Sequence, residues 1–268
     1  MEHESVRLDS HDGVAAIELD RPASRNALTL DAVRELLGPL RAVAADPLTR
    51  AVVLSGAGGA FCSGADLRAP LAEETPRRPS GRPDLSWSLR EAFHPVTLLL
   101  REMPQPVVAA VAGPAAGIGC SYALACDLVV AAPDARFVLA FRNVGLVPDG
   151  GASLLVTARA GVGRAADMAL LGRPVTGEEA ADWGLVDRLA DDPRAAALEL
   201  ATGLADGPAA AQAAIKALLN RPWLEPLRGQ LDAEAAAQQR RSDDPEWLEA
   251  LSAFRERRPP AFRDLPPA

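Results

Sequence analysis

Hydrophobic and polar positions along the chain follow two periods. Ser5–Ser10 and Gly13–Leu19 alternate enough to predict two paired strands around a His11-Asp12-Gly13 turn. The period then lengthens. Leu30, Val33, Leu36, Leu37 and Leu40 recur at helical spacing, and Thr29 stands where a cap belongs, which predicts a helix through about Ala45. Short apolar runs follow at Ala51–Ser55, Val107–Ala112 and Leu128–Ala132, with Arg136–Ala140 behind them, and these read as strands. A helix is predicted over Ser86 to Glu102 and a short one after residue 117, which completes a strand–strand–helix rhythm. Beyond Asp149 the chain turns mostly helical. Pro208–Asn220, Leu224–Arg241 and Pro245–Arg257 are predicted as three alanine-rich, amphipathic helices whose apolar faces need a partner surface, in the same subunit or in a neighbour. The apolar stretch from Pro104 to Ala125 is broken by glycines and prolines, so it reads as strand, turn and helix and not as a membrane span.

Two glycine-rich turns interrupt this pattern, each after a strand and before a helix start. One is Gly58-Gly59-Ala60-Phe61-Cys62-Ser63-Gly64-Ala65-Asp66-Leu67, and the other is Ala115-Ala116-Gly117-Ile118-Gly119-Cys120. Glycine permits unusual backbone angles and brings no side chain to block approach, so such turns can present outward-pointing N–H groups. Two converging N–H groups are what an oxyanion needs. The pair therefore points to chemistry on an acyl carbonyl. Between the turns, Ala72 to Asp84 carries Pro76, Pro79 and Pro83 and reads as a solvated loop or, more sharply, as a lid beside a site.

Composition narrows the field. With 268 residues the chain can bury a large core, and with 49 % hydrophobic but 4 % aromatic residues that core is rich in Ala, Val and Leu. The net charge of −8, from 28 basic and 36 acidic side chains, argues against a nucleic-acid partner. Three cysteines, Cys62, Cys120 and Cys126, sit in or near apolar runs, and the start Met1-Glu2-His3-Glu4 is polar; both lead to the expectation of a cytoplasmic protein. His3, His11 and His94 lack ligand spacing, so no metal is expected. There is no phosphate-binding Gly-x-x-x-x-Gly-Lys-Ser/Thr loop, and Gly56-Ala57-Gly58-Gly59-Ala60-Phe61 lacks the third glycine of a dinucleotide fingerprint. Gly119-Cys120-Ser121-Tyr122-Ala123 imitates a nucleophile elbow, but all three histidines precede Ser121, against the chain order that an α/β-hydrolase requires.

Several motifs, in order along nearly the whole chain, resemble the enoyl-CoA hydratase/isomerase (crotonase) superfamily. They are Arg21-Pro22-Ala23-Ser24-Arg25-Asn26-Ala27-Leu28, Phe61–Leu67, Ala115–Cys120, Ala125-Cys126-Asp127-Leu128 and Gly145-Leu146-Val147-Pro148-Asp149-Gly150-Gly151, followed by Leu170–Val175, Ala180–Asp187 and Ala253–Pro259. The resemblance implies an α/β fold, a crotonase-like spiral of ββα units over residues 1–205. It also implies a C-terminal helical trimerisation region over 206–268, self-association as a homotrimer or hexamer, and a coenzyme A thioester as substrate with no permanently bound cofactor.

By position, the two oxyanion-hole amides fall on Ala65 and Ile118. Gly64 and Gly117 precede them. For the coenzyme, the resemblance points to Arg25, Asn26 and Ala27 near the adenine and phosphate end. Ala60 to Gly64, with Ser63, would line the pantetheine, with Asp66 and Leu67 beside them; Arg68, Lys216 and the Phe254–Arg258 tract could meet the phosphates, the last from a neighbouring subunit, with solvated surface as their alternative. Asp66 also suits a turn-ordering role.

The acid–base positions depart from the hydratases. Where a typical enoyl-CoA hydratase carries its two glutamates, this chain has Ser121 and Phe141, and neither can activate water as carboxylates do. Asp149 instead occupies the position used by isomerases of the 1,2-epoxyphenylacetyl-CoA type, and Ala116–Asp127 and Phe141–Gly145 resemble that branch most. A single carboxylate there could shuttle a proton between carbons; its bland alternative is a helix cap. His94 is the other candidate base, in an arrangement that resembles the 4-chlorobenzoyl-CoA dehalogenases, although their tryptophan is replaced here by Phe141. Its alternative is a wall residue. The expected activity is double-bond isomerisation. A hydratase with atypical residues, a thioesterase or dehalogenase, and a non-catalytic CoA-thioester-binding subunit stay open beside it.

Overall fold

The alternation of the first twenty residues becomes a hairpin. In the computed structural model, which describes residues 5–69, 74–79 and 81–265, β1 (Val6–His11) pairs antiparallel with β2 (Val14–Leu19), Val6 opposite Leu19. Thr29 Oγ1 accepts the Ala32 amide at 3.1 Å and caps α1 (Leu30–Ala45), whose Val33, Leu36, Leu37 and Leu40 are buried as the spacing requires. β3 (Ala51–Gly56) returns parallel to β2.

The helix predicted over Ser86–Glu102 exists but is not uniform. α2 (Leu85–Ser88) passes through a single π turn at Leu89–Phe93 into α3 (His94–Glu102). Pro95 has no N–H to donate and its ring crowds the preceding turn, and a wider turn accommodates both effects.

β4 (Val107–Val111) is buried at every residue. The second glycine turn contains a short strand the sequence pattern did not reveal, β5 (Pro114–Ala116), and leads into α4 (Ile118–Ala125). β6 (Leu128–Ala131), β7 (Arg136–Val138), α5 (Ala152–Ala160), α6 (Val162–Leu171), β8 (Val175–Thr176), α7 (Gly177–Trp183), β9 (Arg188–Leu189) and α8 (Pro193–Ala205) follow. The main sheet has the order β1-β2-β3-β4-β6-β9, parallel after the first hairpin. A smaller sheet, β5-β7-β8, stands beside it. One face of the main sheet carries the larger core with α1, α3 and α4. On the other face, Ala197, Ala201 and Ala205 of α8 lie against Val53, Val108 and Val130.

The C-terminal prediction needs correction. Pro208–Asn220 and Leu224–Arg241 are not separate helices but one 34-residue helix, α9 (Ala209–Ser242), followed by α10 (Pro245–Glu256). Pro222 and Pro226 lie inside α9 on its exposed side, so water can satisfy the carbonyls that their missing N–H groups leave free. α9 packs on α2 and α3, and α10 on the Ala140–Val144 turn, so both helices lie against their own chain. No helix among the described residues is long and apolar enough to cross a membrane.

Candidate active site

The two glycine turns meet. A Cβ placed on Gly64, whose φ is +98°, would lie 3.0 Å from the Ala116 carbonyl oxygen, and one on Gly117, φ +52°, would lie 3.9 Å from the Gly64 Cα. Short bridges lock the first turn between the Leu28 segment and β5. Leu28 N–H donates to Gly64 O at 2.8 Å and Asp66 N–H to Leu28 O at 2.9 Å, while Ala116 N–H donates to Cys62 O at 2.8 Å and Gly117 N–H to Val138 O at 2.9 Å. These pairings skip two amides. Ala65 N–H lies between bonded neighbours, and Ile118 N–H is the first of α4, where no intrahelical acceptor exists. Neither donates to a backbone acceptor among the described residues. Ala65 and Ile118 both line a cavity of about 500 Å³.

Side chains behind the turns hold them in place. Asn26 is buried, and its Nδ2 donates to the carbonyls of Ala57 and Ala60 at 2.9 and 2.8 Å while its Oδ1 accepts the Arg21 amide at 2.8 Å. It clasps the Arg21–Leu28 segment onto the first turn. Arg21 also donates to the Ala27 carbonyl, and Ser63 Oγ to Ser24 O at 3.0 Å. Arg25 is exposed in a left-handed conformation, and its carbonyl accepts the Ser63 amide. Asp66 orders the turn, its Oδ1 accepting the amides of Arg68 and Ala69 at 3.1 and 3.3 Å. Ser63, Gly64, Asp66, Leu67 and Gly117 line the cavity; Ala27 and Ala60 are buried behind it.

Asp149 lines the same cavity as these turns. Its side chain does not cap α5: the cap residue is Gly151, and the orphan amides there belong to another carboxylate. Glu234 of α9 accepts Gly151 N–H at 2.7 Å with Oε2, and Ser153 N–H at 3.1 Å and the Ser153 hydroxyl with Oε1. Asp149 is thus released from structural duty. Its backbone carbonyl accepts Ser121 Oγ–H at 2.8 Å, its Oδ2 accepts Gln238 Nε2–H at 3.0 Å, and its buried Oδ1 has no partner. Burial, and then the charge of Glu234, push its carboxyl well above the ordinary aspartate value, while the Gln238 donor pulls the other way. Ser121 is buried, with two carbonyls near its hydroxyl, Gly117 O at 3.3 Å and Asp149 O. Phe141 presents an apolar wall.

Other candidates lie elsewhere. His94 is buried but is not among the lining residues; its Nε2 has no partner, and burial, with Arg90 nearby, pushes the imidazole down to about 4, so it is neutral at physiological pH. Lys216 is also away from the cavity. It is buried in an ion pair with Asp127 at 2.7 Å and donates to the carbonyls of Leu100 and Gln105. Phe254 stands at the surface with the Arg68 guanidinium 5.7 Å from its ring centre. The three thiols are buried and free, each pushed up to about 12 by desolvation. No group of three or more metal-binding side chains occurs among the described residues.

The structure adds residues that the sequence reading missed. Gln238 of α9, Trp247 and Leu251 of α10, and Leu89 and Phe93 of the π turn line the cavity, together with Arg255 of the Phe254–Arg258 tract named from the sequence. A signal for α9 was present: Leu227 and Leu231 begin a helical stripe that continues through Glu234, Gln238 and Ser242, polar residues where apolar ones are expected. The Pro-rich tract contributes Thr75, Arg82 and Pro83 to the wall, and Arg78 and Arg82 bond to Asp243, so its described part is folded against the α9–α10 junction. Ala72, Glu73 and Ser80 of that tract lie outside the described residues.

Residues 9–265 match the family described as enoyl-CoA hydratase/isomerase. A probable enoyl-CoA hydratase of Rhodobacter capsulatus is 38 % identical over 98 % of this chain and 99 % of its own length. The 1,2-epoxyphenylacetyl-CoA isomerase of Escherichia coli is 36 % identical over 93 % of this chain and 95 % of its own. The crystal structure of an enoyl-CoA hydratase from Mycobacterium avium subsp. paratuberculosis superposes with a TM-score of 0.86 at 36 % identity, over 97 % of this chain and 99 % of that one. The chain belongs to the enoyl-CoA hydratase/isomerase family and has the crotonase fold of its enzymes, which act on acyl-CoA thioesters.

Proposed function

We propose that the protein isomerises the double bond of an enoyl-CoA thioester through an enolate, with Asp149 carrying the proton. One observation carries the reading: a single buried carboxylate, with one oxygen unpartnered, lines the same apolar cavity as two unpaired turn amides. The thioester oxygen accepts the N–H groups of Ala65 and Ile118. Asp149 Oδ1 takes a proton from the α-carbon of a β,γ-enoyl thioester, and the electron pair left behind is shared between the thioester oxygen, through the carbonyl, and the γ-carbon, through the double bond. The same carboxyl returns the proton at the γ-carbon, so no water is consumed and no leaving group departs. Hydration requires an activated water, and the positions that would activate it are an apolar ring and a serine whose hydroxyl serves backbone carbonyls. The Ala60–Gly64 turn with Asp66 and Leu67 would flank the pantetheine. The Arg25–Ala27 loop lies toward the nucleotide end, and Arg68 beside Phe254 supplies positive charge for its phosphates.

The test is hydrogen exchange in heavy water on a panel of β,γ-enoyl, epoxy and aryl CoA thioesters, with mass analysis of the products. Isomer formation with Asp149-dependent exchange at the α- or γ-carbon supports the reading. Rapid hydration of crotonyl-CoA, at about 10²–10³ per second as for efficient enzymes, overturns it. We further assign the enzyme to the cytoplasm and to a homotrimer or hexamer. Ile215, Leu218, Leu219 and Trp223 stand exposed on α9 and offer an apolar surface to another copy. A sedimenting monomer at micromolar concentration would remove the assembly part.

A further inference from the structure

We propose that Gln238 is a positioning residue that restricts Asp149 to one reactive oxygen, Oδ1. This rests on the isomerase reading and deepens it.

Both ends of the Gln238 amide are engaged. Oε1 accepts Val147 N–H at 3.0 Å, which sets the orientation of the group, and Nε2 then donates to Asp149 Oδ2 at 3.0 Å. Val147 and Asp149 belong to one loop, so the glutamine clamps the backbone and the carboxylate of the same segment together. Ser121 fixes the Asp149 carbonyl from α4. Gln238 is itself 4 % exposed and lines the cavity beside Asp149. Glu234, one turn earlier on α9, has both oxygens engaged at the α5 N-terminus and cannot replace Asp149 as base.

The consequence is chemical. An amide N–H does not exchange a proton with a carboxyl in the catalytic cycle, so Oδ2 is withdrawn from proton transfer. Oδ1 alone must take the α-proton and return it at the γ-carbon. Removal and return therefore occur on one face of the enolate, and a proton held on a single buried oxygen has little access to solvent. The Gln238 N–H also favours the ionised, basic form of Asp149. The titratable and charged groups around the carboxylate are Glu234 on α9 and Tyr122 on α4, whose hydroxyl is engaged with Phe93 O. Asp66, Arg82 and Arg255 face the same cavity.

Two substitutions test this in the full-length enzyme. Gln238→Met keeps the length and fills the space but removes both polar ends. Gln238→Glu keeps an acceptor for Val147 and removes the donor to Asp149. Isomerisation should fall roughly 10- to 10²-fold in both, the scale of misplacing a reacting group by about an ångström, with KM little changed. The fraction of substrate hydrogen carried into product in heavy water should fall, and the acid limb of the pH–rate profile should move to higher pH, further for Gln238→Glu. If Gln238→Glu keeps the parent rate, hydrogen retention and acid limb, the glutamine merely holds Val147 and the proposal fails. If Gln238→Met does not fold, Gln238→Glu decides alone. Asp149→Asn separates the two levels. Full activity in that variant defeats the isomerase reading itself, whereas its inactivity beside unchanged Gln238 variants defeats only the role of Gln238.

Discussion

The two walls of the cavity are built by different means. One is backbone: Ala65 and Ile118 offer amides whose freedom follows from glycine turns and from the hydrogen bonds of their immediate neighbours. The other is side chain. Asp149 owes its orientation to Gln238 and its raised carboxyl value to burial and then to the charge of Glu234, and these two α9 residues lie 81 to 91 positions along the chain from the groups they bond. A backbone device tolerates almost any side chain at the donor position but no distortion of the turn. A buried carboxylate has the reverse sensitivity, because its chemistry depends on neighbours that leave the fold intact when they change.

The strongest way to sharpen that contrast is Asp149→Asn. Activity should fall about 10²–10⁴-fold, the usual scale of general acid–base catalysis, while the fold is retained. Stability should move oppositely. The folded-state carboxyl is raised above the unfolded value, so the native state holds a proton that the unfolded chain has released. Stability is then full below the ordinary aspartate range and is lost as pH rises toward the folded value. The asparagine variant lacks this slope, and calorimetry in mildly alkaline buffer should find it at least as stable as the parent. A marked loss there would mean that Asp149 is structural.

The backbone wall is tested at Gly117, which has φ +52° and ψ −126°, a region that other residues avoid. Gly117→Ala has space for its methyl group, since the nearest atom is 3.8 Å away, so strain and not collision turns the Ile118 amide. The expected loss is about 10²–10³-fold in kcat, as for removal of one oxyanion donor. An unchanged kcat would take the second turn out of catalysis.

Lys216 tests what lies outside both walls. Lys216→Met strands Asp127 with Arg101 as its remaining cationic partner, at 3.5 Å. Denaturant unfolding should show a loss toward the lower end of about 3–5 kcal/mol, with KM for the CoA thioester unchanged. A raised KM with intact stability would return Lys216 to the coenzyme. Glu234→Gln should leave catalysis least altered while costing stability, because its amide NH2 cannot accept one of the buried α5 N–H groups. Removing that charge lets the Asp149 carboxyl fall, so the acid limb of the rate profile should shift to lower pH with kcat on the plateau little altered. A shift upward would reverse the electrostatic account.

The sequence pattern carried most of the fold. The first hairpin, the Thr29 cap and the buried strands Ala51–Gly56 and Val107–Val111 stand where alternation and apolar runs predicted them. It failed where a local rule met a tertiary one. The pattern separates Pro208–Asn220 from Leu224–Arg241, but α9 runs through both with Pro222 and Pro226 inside it, packed on the elements beneath, and solvent satisfies the freed carbonyls. Pro95 did not end its helix but displaced it into a π turn, which carries Leu89 and Phe93 on the cavity wall.

The site divides in the same way. Glycine spacing pointed to converging turn amides, and the family resemblance placed them at Ala65 and Ile118; an amide's direction is fixed by the φ and ψ of a few consecutive residues. The resemblance to the family's motif positions singled out Asp149 as the candidate acid and demoted Ser121 and Phe141. What the sequence could not tell was which polar residues would surround that carboxylate. His94 and Lys216 carried the right chemistry, but His94 is buried off the cavity with its Nε2 unpartnered and Lys216 is tied to Asp127, whereas Gln238 and Glu234 lay in an alanine-rich helix with no motif around them. Backbone donors are a property of local conformation. The orientation and protonation of a buried acid depend on desolvation and on charges and donors brought in from distant parts of the chain, and packing alone decides which of those arrive.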